Sequence, residues 1–536
     1  MKYNIPVLIS MLILFSTHQS FAQEIDSITT QEYKIRELIW NQFLDNPSVN
    51  QHLPLADFTE TSLYSEIKNQ PFSKKQNPNS VNYFGFKSKG IYTLENQFKL
   101  FGNIDISRSY TKESSYLLFH NLADEFSNEI LQTPNYPLAI RSGNGENLHY
   151  HLTGGISGSI KNKFPFSARV NYNLDKYFGL TIPKTEQEII DYSGIFELGY
   201  KLKNHHLFGI LKLEKEQNNF DYSSAGNTVT PIYSLAFPEY YAGFSIGYGD
   251  VLGYNEALLK GIIDTESKTF GAGYNLSFDN HFITAKYSFT DSTERYYATS
   301  YLDEDNLASM FNREENILEI LYLNQFKNQK LIIDGSLYYG KGTNTHAFEG
   351  FTSNSENLIV KTNYQKEVTQ GKLNVYWEKR KNNQTQIGIN FQNLFEENTR
   401  IDLNTTNQKT IALQSKLLGN KDITITSKSI LNIEAGFSYY FPISNTLTYT
   451  SSNSSTSEGS IIPPRNTFGE DVIAYDYAFD TVQKFGSVLG LVYQTEMKKN
   501  RIATIALNYN YLTTLEKTNF SNTNNQTLSL SLNLKY

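Results

Sequence analysis

The feature that most constrains this chain is an alternation of apolar and polar residues with a period of two, repeated in segments of about ten residues along most of its length. From Gln526 to Tyr536, Leu528, Leu530, Leu532, Leu534 and Tyr536 share one face, and Ser529, Ser531, Asn533 and Lys535 the other. Two is the side-chain period of a β-strand, so this segment reads as a strand with one apolar and one polar face. A single such strand fits a soluble sandwich as well as a membrane barrel. Recurrence and length decide between them, because ~10 residues tilted by ~45° cross a bilayer.

The alternation recurs at Phe98, Leu100, Gly102, Ile104 and Ile106, with Phe101 as the one exception, and at Phe166, Ala168, Val170, Tyr172 and Leu174. Further copies carry Phe270 to Phe278, Ile283 to Phe289, Ile387 to Phe391 and Ala503 to Tyr511. Opposing them are mostly Ser, Thr, Asn, Gln and Gly with scattered charge, such as Arg169, Asp175 and Lys286. A packed protein core does not tolerate that set, whereas a wide, wet lumen requires it and lipid requires the other face.

Export is expected from the first residues. Lys2 precedes a mostly apolar stretch from Ile5 to Phe15, and Ser20-Phe21-Ala22 supplies small residues where a signal peptidase cuts, before Gln23. Residues 1–22 therefore read as a signal peptide, too short in its apolar run for the ~20 residues of a spanning helix. No later stretch reaches that length, so an exported chain of this kind is either released or inserted as a barrel. The absence of cysteine excludes a disulfide scaffold, a Cys-based zinc or iron–sulfur site and a lipidated cysteine. Lys+Arg 47 against Asp+Glu 54 leaves no global basic surface, so no nucleic-acid partner is expected.

Turn chemistry supports the barrel independently. Lys161-Asn162-Lys163, Lys203-Asn204-His205, Asp279-Asn280-His281, Lys327-Asn328, Lys381-Asn382-Asn383 and Lys499-Asn500-Arg501 are short polar connections, and Asn and Asp tolerate the left-handed backbone of tight hairpins. Longer polar connections alternate with them, at roughly 112–147, 218–239, 291–314, 341–356 and 442–470. Short turns at one end and long loops at the other are the asymmetry of an outer-membrane barrel. The fold expected is all-β, a transmembrane antiparallel up-and-down barrel of about 18 strands, within a range of 16 to 20. It would occupy residues 56–536, behind a periplasmic N-terminal segment at 23–55. In that segment Ile35, Leu38, Ile39 and Phe43 have helical spacing before Pro47, as a small plug helix or as a lead into the first strand. The strand parity fails between Leu358 and Phe395, where Val368-Thr369-Gln370-Gly371 reads as a turn before a short strand at Leu373 to Lys379.

The leader, the repeated amphipathic strands and the closing segment Leu528 to Tyr536 resemble the outer-membrane β-barrels of Gram-negative bacteria. That resemblance implies contact with outer-membrane lipid and lipopolysaccharide, and a final strand read by the barrel-insertion machinery. Trp40-Asn41, Asn46-Pro47, the strand-like Asp57 to Ile67 and the Tyr/Asn-rich barrel look more narrowly like a Bacteroidota-type barrel family whose function is unassigned. Such a family carries no agreed catalytic residues to transfer.

Chemistry-bearing residues are few. His149 and His151, on an inward face near Ser157 and Ser159, are the nearest approach to a nucleophilic site at the barrel wall, but lumen lining explains them as well. His205-His206 beside a turn reads as a solvated surface pair before it reads as a metal site. Asp303-Glu304-Asp305 and Glu314-Glu315 read as a solvated acidic loop without a calcium-loop glycine. Gly154, Gly155 and Gly158 fall on strand positions and belong to no phosphate-binding loop, so no cofactor or metal is expected. The functions these residues allow are a channel for small solutes, or an accessory barrel in an uptake or secretion complex. An enzyme is disfavoured.

Overall fold

The structure is a computed structural model that describes residues 57–94, 98–114, 131, 133–139, 142–181, 184–223, 242–246, 251–252, 260–278, 280–297, 307–326, 328–348, 359–381, 384–402, 406–449, 469–497, 501–516 and 520–536. The expected leader and the 23–55 segment lie outside these residues.

The chain runs through β1 (Phe58–Asn69), β2 (Ser80–Thr93), β3 (Lys99–Ser114), β4 (Asn135–Ala139), β5 (Gly143–Ile160), β6 (Phe164–Gly179) and β7 (Lys184–Leu202). It continues through β8 (His205–Ser223), β9 (Ala242–Ile246), β10 (Val251–Leu252), β11 (Gly261–Phe278), β12 (His281–Tyr297), β13 (Leu307–Phe326) and β14 (Gln329–Phe348). The last strands are β15 (Ile359–Lys381), β16 (Gln384–Asp402), β17 (Thr406–Thr426), β18 (Ser429–Tyr449), β19 (Lys484–Glu496), β20 (Ile502–Thr514) and β21 (Asn524–Lys535). Between β18 and β19 lie a π-helical turn, Gly469–Ala474, and the helix α1, Tyr475–Thr481.

Eighteen of these strands form one antiparallel sheet in which each pairs with its neighbours in chain order, and β4, β9 and β10 form a small sheet of their own. The wall is closed: Glu60 to Asn69 of β1 pair with Lys535 to Gln526 of β21, and the Tyr536 amide donates to the Thr59 carbonyl at 2.9 Å. Closure leaves no strand edge in the wall, which is the condition for a sheet to stand in lipid. The expected strand number and topology are those observed.

The two faces follow from the alternation. Val170, Phe84 and Leu337 point outward and are 63%, 62% and 61% exposed, while the inward Ser167 and Asn275 are fully buried. On β7 the exposed outward side chains Tyr192, Phe196, Leu198, Tyr200 and Leu202 extend over ten residue steps. At ~3.4 Å per residue and ~40° of tilt that is roughly 26 Å, the height of a bilayer's hydrocarbon band. Above it the outer face turns to ion pairs, as between Arg108 and Glu146 (2.6 Å) and between Lys341 and Glu367 (3.6 Å).

One end of the barrel carries connections of two to five residues. Lys161, Asn162 and Lys203 hold φ of 53°, 56° and 55°, the left-handed backbone expected for these hairpins. The wall is lopsided at the other end: β19, β20, β21 and β1 have 12 or 13 residues, whereas β13 and β14 have 20 and β15 has 23.

Two sequence expectations are corrected. Val368 to Gly371 is no turn but the middle of β15, which pairs without interruption there with β14 and β16, and this removes the parity conflict. The long connections are also shorter than read, since β12 runs on to Tyr297, β13 begins at Leu307 and β18 reaches Tyr449. Above the lipid band the outer face turns polar and the inner face takes up apolar residues against the lid, as at Val368 and Phe311, so the alternation that marks a lipid-facing strand is lost there.

Candidate functional site

Among the described residues, parts of the connections at the taller end, within 70–79, 131–139 and 469–483, pack on one another and on the inner wall and form a lid. In the β1–β2 connection, the Phe72 ring is fully buried between Phe479 and Phe520, at centroid distances of 5.0 and 5.3 Å. The Asn525 side chain holds that residue's backbone on both sides, accepting from the Phe72 amide at 2.9 Å and donating to its carbonyl at 2.5 Å. Helix α1 is held by two carboxylates one turn apart. Asp476 accepts from the Lys75 amide at 2.7 Å, and Asp480 pairs with the Lys74 ammonium at 2.8 Å. Burial pushes the Asp476 carboxyl up from its ordinary 3.8 to about 6, against the pull of Lys74, the Lys75 amide and Arg400.

The lid reaches the opposite, taller wall. Val472 and Ile473, both fully buried, pack on Phe311 of β13 and Tyr364 of β15. The segment around the start of β4 is tied by polar contacts: Thr133 donates to Glu294 at 2.5 Å, and the Asn135 side chain donates to the Asn344 side-chain oxygen at 2.9 Å. Arg313 donates to the Leu131 carbonyl at 3.4 Å, and Leu131 packs on Tyr338 and Val368. The Tyr136 hydroxyl accepts from Gln76, which links the two sides of the lid.

A second arrangement lies on the lumen face of β3, β5, β6 and β7, where three rows of side chains are bonded across strands. In one, His149 Nδ1 stands 2.8 Å from Asp175, whose carboxylate also accepts from Asn147 at 3.2 Å. In the next, His151 Nδ1 contacts the Asn173 amide oxygen, and Asn173 donates to Asp191 at 2.6 Å. In the third, Thr153 lies 2.9 Å from His151 Nε2 and 3.0 Å from the Asn171 oxygen, and Asn171 donates to Ser193 at 2.9 Å. The two imidazoles are parallel, with centroids 6.5 Å apart. From β1, the Tyr64 hydroxyl donates to Asp105 at 2.9 Å, and Asp105 is the cross-strand partner of His151. Cross-strand pairing of this kind is what fixes each side chain's place on the wall.

The sequence-picked residues separate. His149 and His151 do face inward, but Ser157 lies six residues beyond His151 on the same strand, about 20 Å away, so no nucleophile–base pair forms with it. His205 and His206 take opposite faces: His205 meets the Tyr274 hydroxyl outside at 2.6 Å, while His206 is fully buried inside beside Asn275. A solvated pair is thereby corrected, and a shared metal is ruled out by the pleat. Glu314 and Glu315 are strand residues on opposite faces of β13, and Asp303 to Asp305 lie outside the described residues. Gly155 sits under the inward ring of Phe101, which a Cβ there would approach to 2.3 Å, and this explains the one exception in the β3 alternation. Sequence reading missed the lid's anchors. Their one signal was an apolar residue on a polar face, as at Val368 and Phe311.

The family model of DUF6850, a family of unknown function, matches residues 47–536. No curated protein matches the chain. Among solved structures the chain is similar to BauA, the ferric preacinetobactin receptor of Acinetobacter baumannii, at 8% identity and a TM-score of 0.41, over 90% of this chain and 80% of that one. It is similar to the outer membrane transporter YddB of Escherichia coli at 9% identity and a TM-score of 0.40, over 90% and 81% of the two chains. Similarity to OccAB3 of A. baumannii, at 7% identity and a TM-score of 0.33, covers 90% of this chain and 99% of the other. At these scores the likenesses speak to neither cargo nor partner.

Proposed function

We propose, on the premise that the chain belongs to the DUF6850 family of unknown function, that it is an integral outer-membrane barrel of a Gram-negative bacterium and forms a pore for small solutes. The observation that carries this reading is the two-faced closed wall, apolar outside over the height of a bilayer core and polar inside. An inner face so rich in Asn, Ser, Thr and charge is stable against water and unstable as a dry core. The lid then serves as a gate at the outer mouth. Export by the cleavable leader, contact with lipopolysaccharide, recognition of β21 by the insertion machinery and the narrower Bacteroidota-type likeness belong to the same proposal.

Single-channel recording on the purified protein tests it. Discrete conductance steps are expected, rising when residues 469–481 are deleted. The mature chain should begin at Gln23 by mass spectrometry and travel with the outer membrane on a density gradient. Recovery in the soluble periplasm overturns the localisation.

The lid also favours a second reading, a non-conducting accessory barrel of an uptake or secretion complex. Loops packed into the mouth at both walls suit a contact platform as well as a gate. Silence of both the intact protein and the lid-deleted variant decides for that reading.

A further inference from the structure

We propose that the array centred on His151, Thr153, Asn171 and Asn173 is a lumen subsite for a neutral polyhydroxylated cargo, an oligosaccharide; this rests on the pore reading. Among the described residues, the lid contacts given above fall on β12 to β15 and on the rim, and none is on this face of β5 and β6. Each side-chain amide of the array spends one of its two N–H donors internally. Tyr64 donates to Asp105, Asn173 to Asp191, and Asn171 to Ser193. The His149 Nδ1 facing Asp175 is a donor as well, because an ionised carboxylate only accepts.

At its centre one acceptor is left over. The Thr153 hydroxyl has one hydrogen to share between His151 Nε2 and the Asn171 oxygen, so with His151 neutral one of those two acceptors always awaits a proton from outside. A ligand rich in hydroxyls, each both donor and acceptor, satisfies that surface, whereas an ether, which only accepts, leaves that acceptor unmet. A metal ion is disfavoured by geometry, since no three His, Asp or Glu side chains converge on one point among the described residues. The carboxylates Asp105, Asp175 and Asp191 are each engaged by a neighbour, Tyr64, His149 and Asn173, and Lys87 and Arg169 stand beside them, so the face carries both signs. Within a row, groups on successive strands stand ~4.8 Å apart, a spacing comparable to one sugar ring, so successive units of a linear oligosaccharide laid along a row meet successive strands.

The test uses the full-length protein and two probes of similar mass, maltohexaose and a polyethylene glycol, the second rich in ether acceptors and nearly without O–H donors. Maltohexaose should interrupt the current at millimolar concentration and polyethylene glycol should not. Thr153→Val and Asn173→Ala, each checked for a heat-modifiable folded band, should weaken the sugar effect about tenfold, the worth of one or two hydrogen bonds. Titration calorimetry of maltohexaose into the detergent-solubilised protein gives a readout that needs no conduction. Equal blockade by both probes, variants that bind as the parent does, or displacement of the sugar by Zn²⁺ overturns the proposal. Conduction with no sugar effect sinks the subsite alone, whereas a silent barrel with array-dependent sugar binding sinks the pore alone.

Discussion

Leu507 and Asn508 are adjacent in β20 and meet different solvents: the first is 38% exposed on the outer face, and the second lies inward over Gly490. Charge on the lipid face costs ~2 to 4 kcal/mol at the midplane, while lumen substitutions are mild. Leu507→Arg should therefore impair assembly, read as loss of the heat-modifiable band, and Asn508→Arg should assemble normally. Asp476 carries a different prediction. Its docked carboxyl titrates near 6 and a released one near 3.8, so the docked lid binds the proton more tightly. Docking is strongest below about pH 4, weakens as pH rises from 4 to 6, and is level above that, with a difference of roughly 3 kcal/mol. Hydrogen exchange across residues 469–481 should show protection falling over that window, and Asp476→Asn should flatten the profile. A profile in the parent that rises with pH would show the carboxylate to be the favoured form.

At the scale of elements, the strands legible in the sequence were those whose outer face lies in lipid, because only there do the two sides of a strand differ. β15 shows where that legibility stops. Its Val368 is 1% exposed and faces Leu131 of the lid, and its outward neighbours Thr369 and Glu367 stand beside the ion-pair zone, so the apolar and polar sides are exchanged and the pattern imitates a turn. The lumen array was visible only in part: His149 and His151 could be placed on the inner face by parity, but their partners Asp175 and Asn173 depend on a cross-strand register that no single strand encodes. The lid was invisible, since its contacts join segments as far apart as 453 residues. The Phe72 clasp predicts that Asn525→Ala, which leaves a buried backbone amide and carbonyl without that partner, lowers stability by ~1 to 3 kcal/mol. The heat-modifiable form should convert at lower temperature, and an unchanged transition would show that the aromatic contacts alone suffice.

For the whole molecule, the inner wall carries both signs side by side. Lys286 meets Glu319 at 2.5 Å, Lys212 meets Glu214 at 2.7 Å, and Lys68 meets Glu66 at 3.2 Å. No ring of one sign forms among these, and ion selectivity depends on such rings. An open pore should accordingly be only weakly selective, with reversal potentials near zero in a salt gradient, and strong preference for either sign would contradict the layout. The β1–β21 seam bears on how such a wall can be made. Every other pairing joins strands consecutive in the wall and can form as a local hairpin or crossing, but β1 waits for β21, more than 450 residues later in the chain. Loop entropy alone makes that contact late, and until it forms the sheet presents two long unpaired edges at once. Folding of this chain is thus a race between two edges of one sheet finding each other and either edge finding another molecule. Dilution, or a template that occupies one edge, should decide its yield more than any side chain in the wall.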